Sequence, residues 1–157
     1  MESRIIKRNV ALVEKCTMSS VGINSLFNTM PDDQYKLHLF SSQPTFSQAM
    51  LKMSFSAVIF SLSAIRSDRR AGLAYLTELA INFPRIRRVV IADDDAEARL
   101  IGSLSPLPLD GVVSKASSLT VLQDALLTAL SSPSRGTEST KNHWYINQSR
   151  MLSPTER

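Results

Sequence analysis

Apolar residues in this chain fall into two kinds of pattern. Val10-Ala11-Leu12-Val13, Ala57-Val58-Ile59-Phe60 and Val89-Val90-Ile91-Ala92 are unbroken runs with no alternation of polarity. Such runs suit strands covered on both faces, as in a parallel sheet packed between helices. Tyr35 to Phe40 alternates instead and predicts a strand near a sheet edge, while Gly111-Val112-Val113 predicts a short last strand. Between the strands the spacing changes to three and four. Ile23, Leu26, Phe27 and Met30 predict a helix stopped by Pro31. Thr45 and Gln48 form a capping-box pattern before the stripe Phe46, Ala49, Met50 and Met53.

A helix from about Ser67 turns Leu73, Leu76, Leu79 or Ala80, and Phe83 inward and is closed by Pro84. A short helix over 96–104 follows the acidic turn Asp93-Asp94-Asp95. A final helix, capped by Ser117 or Ser118, carries Leu119, Leu122, Leu126 and Leu130. Strand and helix thus alternate five times, with connections short enough for parallel crossovers. The expected fold is α/β, a doubly wound five-stranded parallel sheet of flavodoxin-like order 2-1-3-4-5 with helices on both faces. None of the five glycines stands in GxGxxG or GxxxxGK spacing, which argues against nucleotide binding by those loops.

Residues 1–130 therefore read as one domain. From 131 to 151 the composition turns to Ser, Thr, Pro and Gly, as in a linker, and Trp144-Tyr145-Ile146 either docks back on the domain or belongs to the next one. Ser153-Pro154-Thr155-Glu156 is a capping box with proline at the first helical position. A helix start with no helix after it predicts that a further domain belongs after residue 152.

With 43% hydrophobic and 20% charged residues the chain has a globular composition. The net charge of +4 is spread along it, so the Arg66, Arg69, Arg70 and Arg85, Arg87, Arg88 clusters read as solvated surface rather than a nucleic-acid footprint. No apolar run reaches membrane-span length and the start lacks a signal-peptide core. The single cysteine fits a reducing compartment, and a cytoplasmic protein is expected.

The combination resembles response regulators of the LuxR/FixJ type, in which a CheY-like receiver precedes a helix-turn-helix domain. Val10 to Ile23, with Glu14 and Gly22, is similar to the family's first strand, acidic pair and first helix. Asp110-Gly111-Val112-Val113-Ser114-Lys115 matches the last strand and its lysine, and the 152–157 stretch matches the opening of the DNA-binding domain. The resemblance implies a transcriptional activator that forms heterodimers with an RcsB-like response regulator, with DNA contacted through a C-terminal helix-turn-helix, a homodimer left open, and neither a cofactor nor a membrane partner. It also implies a phosphorylation pocket: a carboxylate nucleophile ending the third strand, acids after the first to hold Mg²⁺, a hydroxyl after the fourth and a lysine after the fifth.

This chain departs from that pattern. Ser61 stands at the nucleophile position, Lys15 replaces one acid beside Glu14, Ala92 replaces the hydroxyl residue, and Lys115 remains. The expectation is a degenerate receiver with no catalytic residues, in which Lys115 pairs with Glu14 or Asp93 or swings to solvent. An unconventional Mg²⁺-dependent phosphoacceptor using Glu14 and Asp93 is the alternative; a hydrolase lacks any base beside Ser61.

Other candidates have plainer readings. Asp93, Asp94 and Asp95 could join Glu14 at a metal, but a solvated turn in which Asp95 caps the next helix is preferred. Cys16 could be a reactive thiol at a helix start, but is read as a small buried packing residue. His38 and His143 lack zinc or catalytic spacing, and Met30, Met50 and Met53 are read as core. For partner recognition the candidates are Ile101, Leu104, Leu119 and Leu122.

Overall fold

The computed structural model describes residues 7–29 and 34–131. Five strands and five helices alternate: β1 Arg8–Val13, α1 Thr17–Asn28, β2 Tyr35–Phe40, α2 Gln43–Met50, β3 Ala57–Ser61, α3 Arg66–Asn82, β4 Arg87–Ala92, α4 Asp95–Leu104, β5 Gly111–Ser114 and α5 Leu119–Ser131. All pairings are parallel and the order is β2-β1-β3-β4-β5, the order expected from the sequence. Ser131, the first residue of the expected linker, ends α5; Met30, Pro31, His143, Trp144-Tyr145-Ile146, the rest of that linker and the expected further domain lie outside the described residues.

The unbroken apolar runs find their explanation in two cores. Val10, Leu12, Ile59, Val89 and Ile91 point to one face of the sheet, where α1 and α5 cover them with Ile23, Leu26, Leu122 and Leu126. Ala11, Val13, Val58, Phe60, Val90 and Ala92 point to the other, against Phe46, Leu73, Leu76, Leu79 and Ile101 of α2, α3 and α4. Successive strand residues face opposite ways, so a strand buried on both sides has no room for polar alternation. Gly111 lets α5 come close to β5, because a Cβ there would lie 2.7 Å from the Ala129 Cβ.

Several local details differ from the sequence reading. The α2 cap is Ser42, whose hydroxyl accepts from the Thr45 amide; Pro44 then sits in the first turn, where its missing N–H costs nothing. Met53 falls beyond this helix but still packs on the core with Met50. Asp94, not Asp95, caps α4, with its Oδ1 2.8 Å from the Glu97 amide. Phe83 is exposed at the end of α3 because the backbone leaves the helix there, and Leu119, in the first turn of α5, is 70% exposed.

The arginine clusters are not wholly solvated either. Arg69 and Arg88 are buried. The Arg88 guanidinium donates to the carbonyls of Leu76 and Pro108, and its amide donates to Asp110 Oδ2 at 2.8 Å. Buried charge is tolerated here because hydrogen-bond partners replace water.

Candidate functional site

The register brings four positions to one edge of the sheet. Val13 is level with Phe60, Ser61 with Ile91, and Ala92 with Ser114, so Glu14, Ser61, Ala92 and Lys115 gather at the carboxyl end of the strands. Lys115 is held there by its amide, which donates to the Ala92 carbonyl at 2.8 Å, and Glu14 by its amide, which donates to the Phe40 carbonyl at 2.9 Å. A cleft of about 360 Å³ opens above them, with Lys15, Cys16, Asp68 and Asp93 also in its lining.

Of the two partners expected for Lys115, the structure supplies Glu14: the Nζ–Oε1 distance is 2.9 Å. The carboxylate side chain is only 6% exposed and the lysine 29%. The contact is a charge pair rather than an aligned hydrogen bond, since no donor meets Oε1 with hydrogen-bond geometry. Oε2 accepts from the Cys16 amide at 3.0 Å. Burial is the largest single influence on the Glu14 carboxyl and pushes its pKa up, but the Cys16 amide, the Ser61 hydroxyl and the Lys115 ammonium together outweigh it. The net effect holds Glu14 below the ordinary value, as an anion at neutral pH.

This arrangement limits the chemistry. A carboxylate with a lowered pKa is a weak base, and Glu14 is an acid that lines the same cleft as Ser61. His38 is elsewhere, its Nε2 3.0 Å from Asn9 Oδ1 and its ring edge-on to Phe55. Ala92 is fully buried in the core and offers no hydroxyl. Asp93 is exposed and Asp94 is engaged as a cap, and among the described residues no three of His, Cys, Asp and Glu stand close enough to share a metal ion.

Cys16 corrects its sequence reading. It is exposed, not buried, and stands at the N-cap position of α1, outside the helix's inward stripe. The Ser19 amide and hydroxyl and the Met18 amide, at the open start of the helix, lower its pKa, although the sulfur makes no cap hydrogen bond.

The four interface candidates separate by helix phase. Ile101 is fully buried and Leu122 is 7% exposed, so both belong to the core and neither is available to a partner. Leu104 and Leu119 are exposed, as are Leu100 on α4, Val121 on α5, and Met18 and Val21 on α1. The sequence reading also missed an ion pair between Arg69 at the start of α3 and Glu97 on α4, N–O distance 2.6 Å. The signal was present: Arg69, Leu73 and Leu76 continue one inward stripe of α3.

The chain is 63% identical over 155 residues to the transcriptional activator protein BglJ of Escherichia coli (strain K12), covering 99% of this chain and 69% of that protein. Among solved structures, the RcsB response regulator of Salmonella typhimurium superposes with a TM-score of 0.65 at 18% identity, covering 95% of this chain and 71% of that one. A signal receiver domain from Pseudomonas fluorescens Pf-5 superposes with a TM-score of 0.61 at 18% identity, covering 79% and 94%. No family model matches the chain. At these identities the two structures speak for the receiver fold alone.

Proposed function

The chain belongs to the family of the transcriptional activator BglJ, and from that premise we propose that it is a receiver-like regulatory module that works by protein contact and not by accepting phosphate. The observation that carries this reading is the Lys115–Glu14 pair beside Ser61. The lysine that would neutralise a phosphoryl group is committed to the one acid left at the end of β1, and the nucleophile position holds a hydroxyl with no strong base. The module has no enzymatic role in this reading.

Its partner is the receiver of an RcsB-like response regulator, with which it forms a heterodimer that activates transcription. Support comes from the shared receiver fold, which permits pseudo-symmetric pairing, and from exposed apolar residues on α1, α4 and α5. DNA would be reached through a LuxR-type helix-turn-helix after residue 152, whose recognition helix enters the major groove. The expected division is thus 1–130 receiver, 131–151 linker and a DNA-binding domain beyond, in a cytoplasmic protein. No described helix is long and apolar enough to cross a membrane.

Two measurements test this. Beryllofluoride with Mg²⁺ is added to isotope-labelled protein; amide shifts clustered at Ser61, Glu14 and Asp93 would overturn the phosphate-independent reading in favour of an unconventional acceptor. Sedimentation of an equimolar mixture with RcsB at micromolar concentration should give a mixed species, and two independent boundaries would remove the heterodimer.

A further inference from the structure

The loops at the carboxyl edge of the sheet are joined in pairs by charge. Glu14 and Lys115 tie the turn after β1 to the turn after β5. Arg69 and Glu97 tie α3 to α4, the helices that come after β3 and β4. The second pair is the more buried of the two, at 10% and 14% side-chain exposure.

Arg69 is well placed to act as a fixed point. Its own helix holds it on the inward stripe with Gly72, Leu73 and Leu76, and its Nη1 also donates to the Ala64 carbonyl in the loop after Ser61. Glu97 is fixed from the other side. Its amide donates to the cap Asp94, so the carboxylate that meets Arg69 leaves the first turn of α4 at a defined height. Farther along α4, Ile101 is sunk completely into the core. The helix is therefore seated at two points: an apolar one in its middle and an ionic one in its first turn. Leu100 and Leu104, at 38% and 48% exposure, lie on the part of α4 left outside.

We infer that Arg69 and Glu97 are positioning residues that clamp α4 against α3 without any ligand, so that the outer apolar residues of α4 are presented in one setting at all times. The clamp is an intrachain property; only its use in presenting a surface to a partner receiver rests on the function proposed above. Part-buried ion pairs suit such a role because a half-broken pair leaves a charge without water or partner, which makes the seated position distinct from any shifted one.

Hydrogen exchange measured by mass spectrometry tests the clamp. In Glu97→Gln and Arg69→Met, amides of α4 should exchange about tenfold faster than in the wild type, while those of β1 and β3 stay as they were. Lys115→Met, which breaks the other pair, should leave α4 unchanged. Should Arg69→Met fail to fold, Glu97→Gln decides alone, because glutamine keeps the shape and an acceptor oxygen. Unchanged α4 exchange in Glu97→Gln, or a rise of equal size throughout the sheet, would overturn the clamp. A loosened α4 together with undiminished mixed-species formation with RcsB would overturn its role in presentation and leave the proposed function standing.

Discussion

Lys115 and Glu14 follow strands that have two others between them, yet their charged atoms meet 2.9 Å apart. Three interstrand spacings amount to roughly 14 Å, a gap that the two long side chains bridge by reaching toward each other across the ends of β3 and β4. The pair lines the same cleft as Ser61, and the edge of the sheet that carries chemistry in α/β folds is spanned by two of the chain's own side chains.

Loss of the lysine should therefore be felt as instability. Lys115→Met leaves a buried carboxylate with the Cys16 amide and the Ser61 hydroxyl only, and should lower the free energy of unfolding by about 1–2 kcal/mol, the value for a pair with one half-exposed member. Urea unfolding at neutral pH measures it.

The same carboxylate gives stability an acid limb. Its folded pKa lies below the ordinary 4.5, so the unfolded chain takes up the proton first. The contribution is complete above 4.5 and disappears as pH falls through the lower, folded value. Glu14→Gln should flatten that limb in thermal unfolding measured between neutral and acid pH. A variant as steep as the wild type would show that other carboxylates set the slope.

Glycines divide by their surroundings. Gly111→Ala brings a methyl to 2.7 Å from the Ala129 Cβ and should destabilise by about 1–3 kcal/mol. Gly22 and Gly102, in α1 and α4, have open space where a Cβ would stand. Gly22→Ala and Gly102→Ala should each stabilise by about 0.5–1 kcal/mol through helix propensity. Melting temperatures of the three variants order them.

Core and surface apolar positions on α4 and α5 should respond differently. Ile101→Ala empties a fully buried site and should cost about 2–5 kcal/mol. Leu104→Ala and Leu119→Ala, at exposed positions, should change stability by less than about 0.5 kcal/mol. If the outer faces of α4 and α5 meet the partner, the two exposed variants weaken the mixed species with RcsB all the same.

The fold was legible because burial on both faces leaves short unbroken apolar runs: Val10 to Val13 and Val89 to Ala92 are brief, rich in β-branched residues and bounded by polar turns, which marks them as interior strands. The α2 cap was misplaced by three residues because Thr45 has the Gln48 of a capping box and Ser42 has no such partner, yet it is Ser42 whose backbone is extended and whose hydroxyl caps the helix. Ile101 and Leu122 could not be told from surface candidates, since neighbouring apolar residues on a helix differ by phase alone. Arg69 and Arg88 were read as solvated because their partners, Glu97 and the Pro108 carbonyl, are remote in sequence. Cys16 failed for the opposite reason: its type is usually interior, and a turn before a helix overrode the habit.

That thiol has a practical side. The sequence holds one cysteine, it is exposed, and it stands at the mouth of the cleft with its amide on Glu14. A maleimide dye or spin label can accordingly be attached to this sequence at one known spot beside the cleft at the top of the sheet, without first engineering a handle into it.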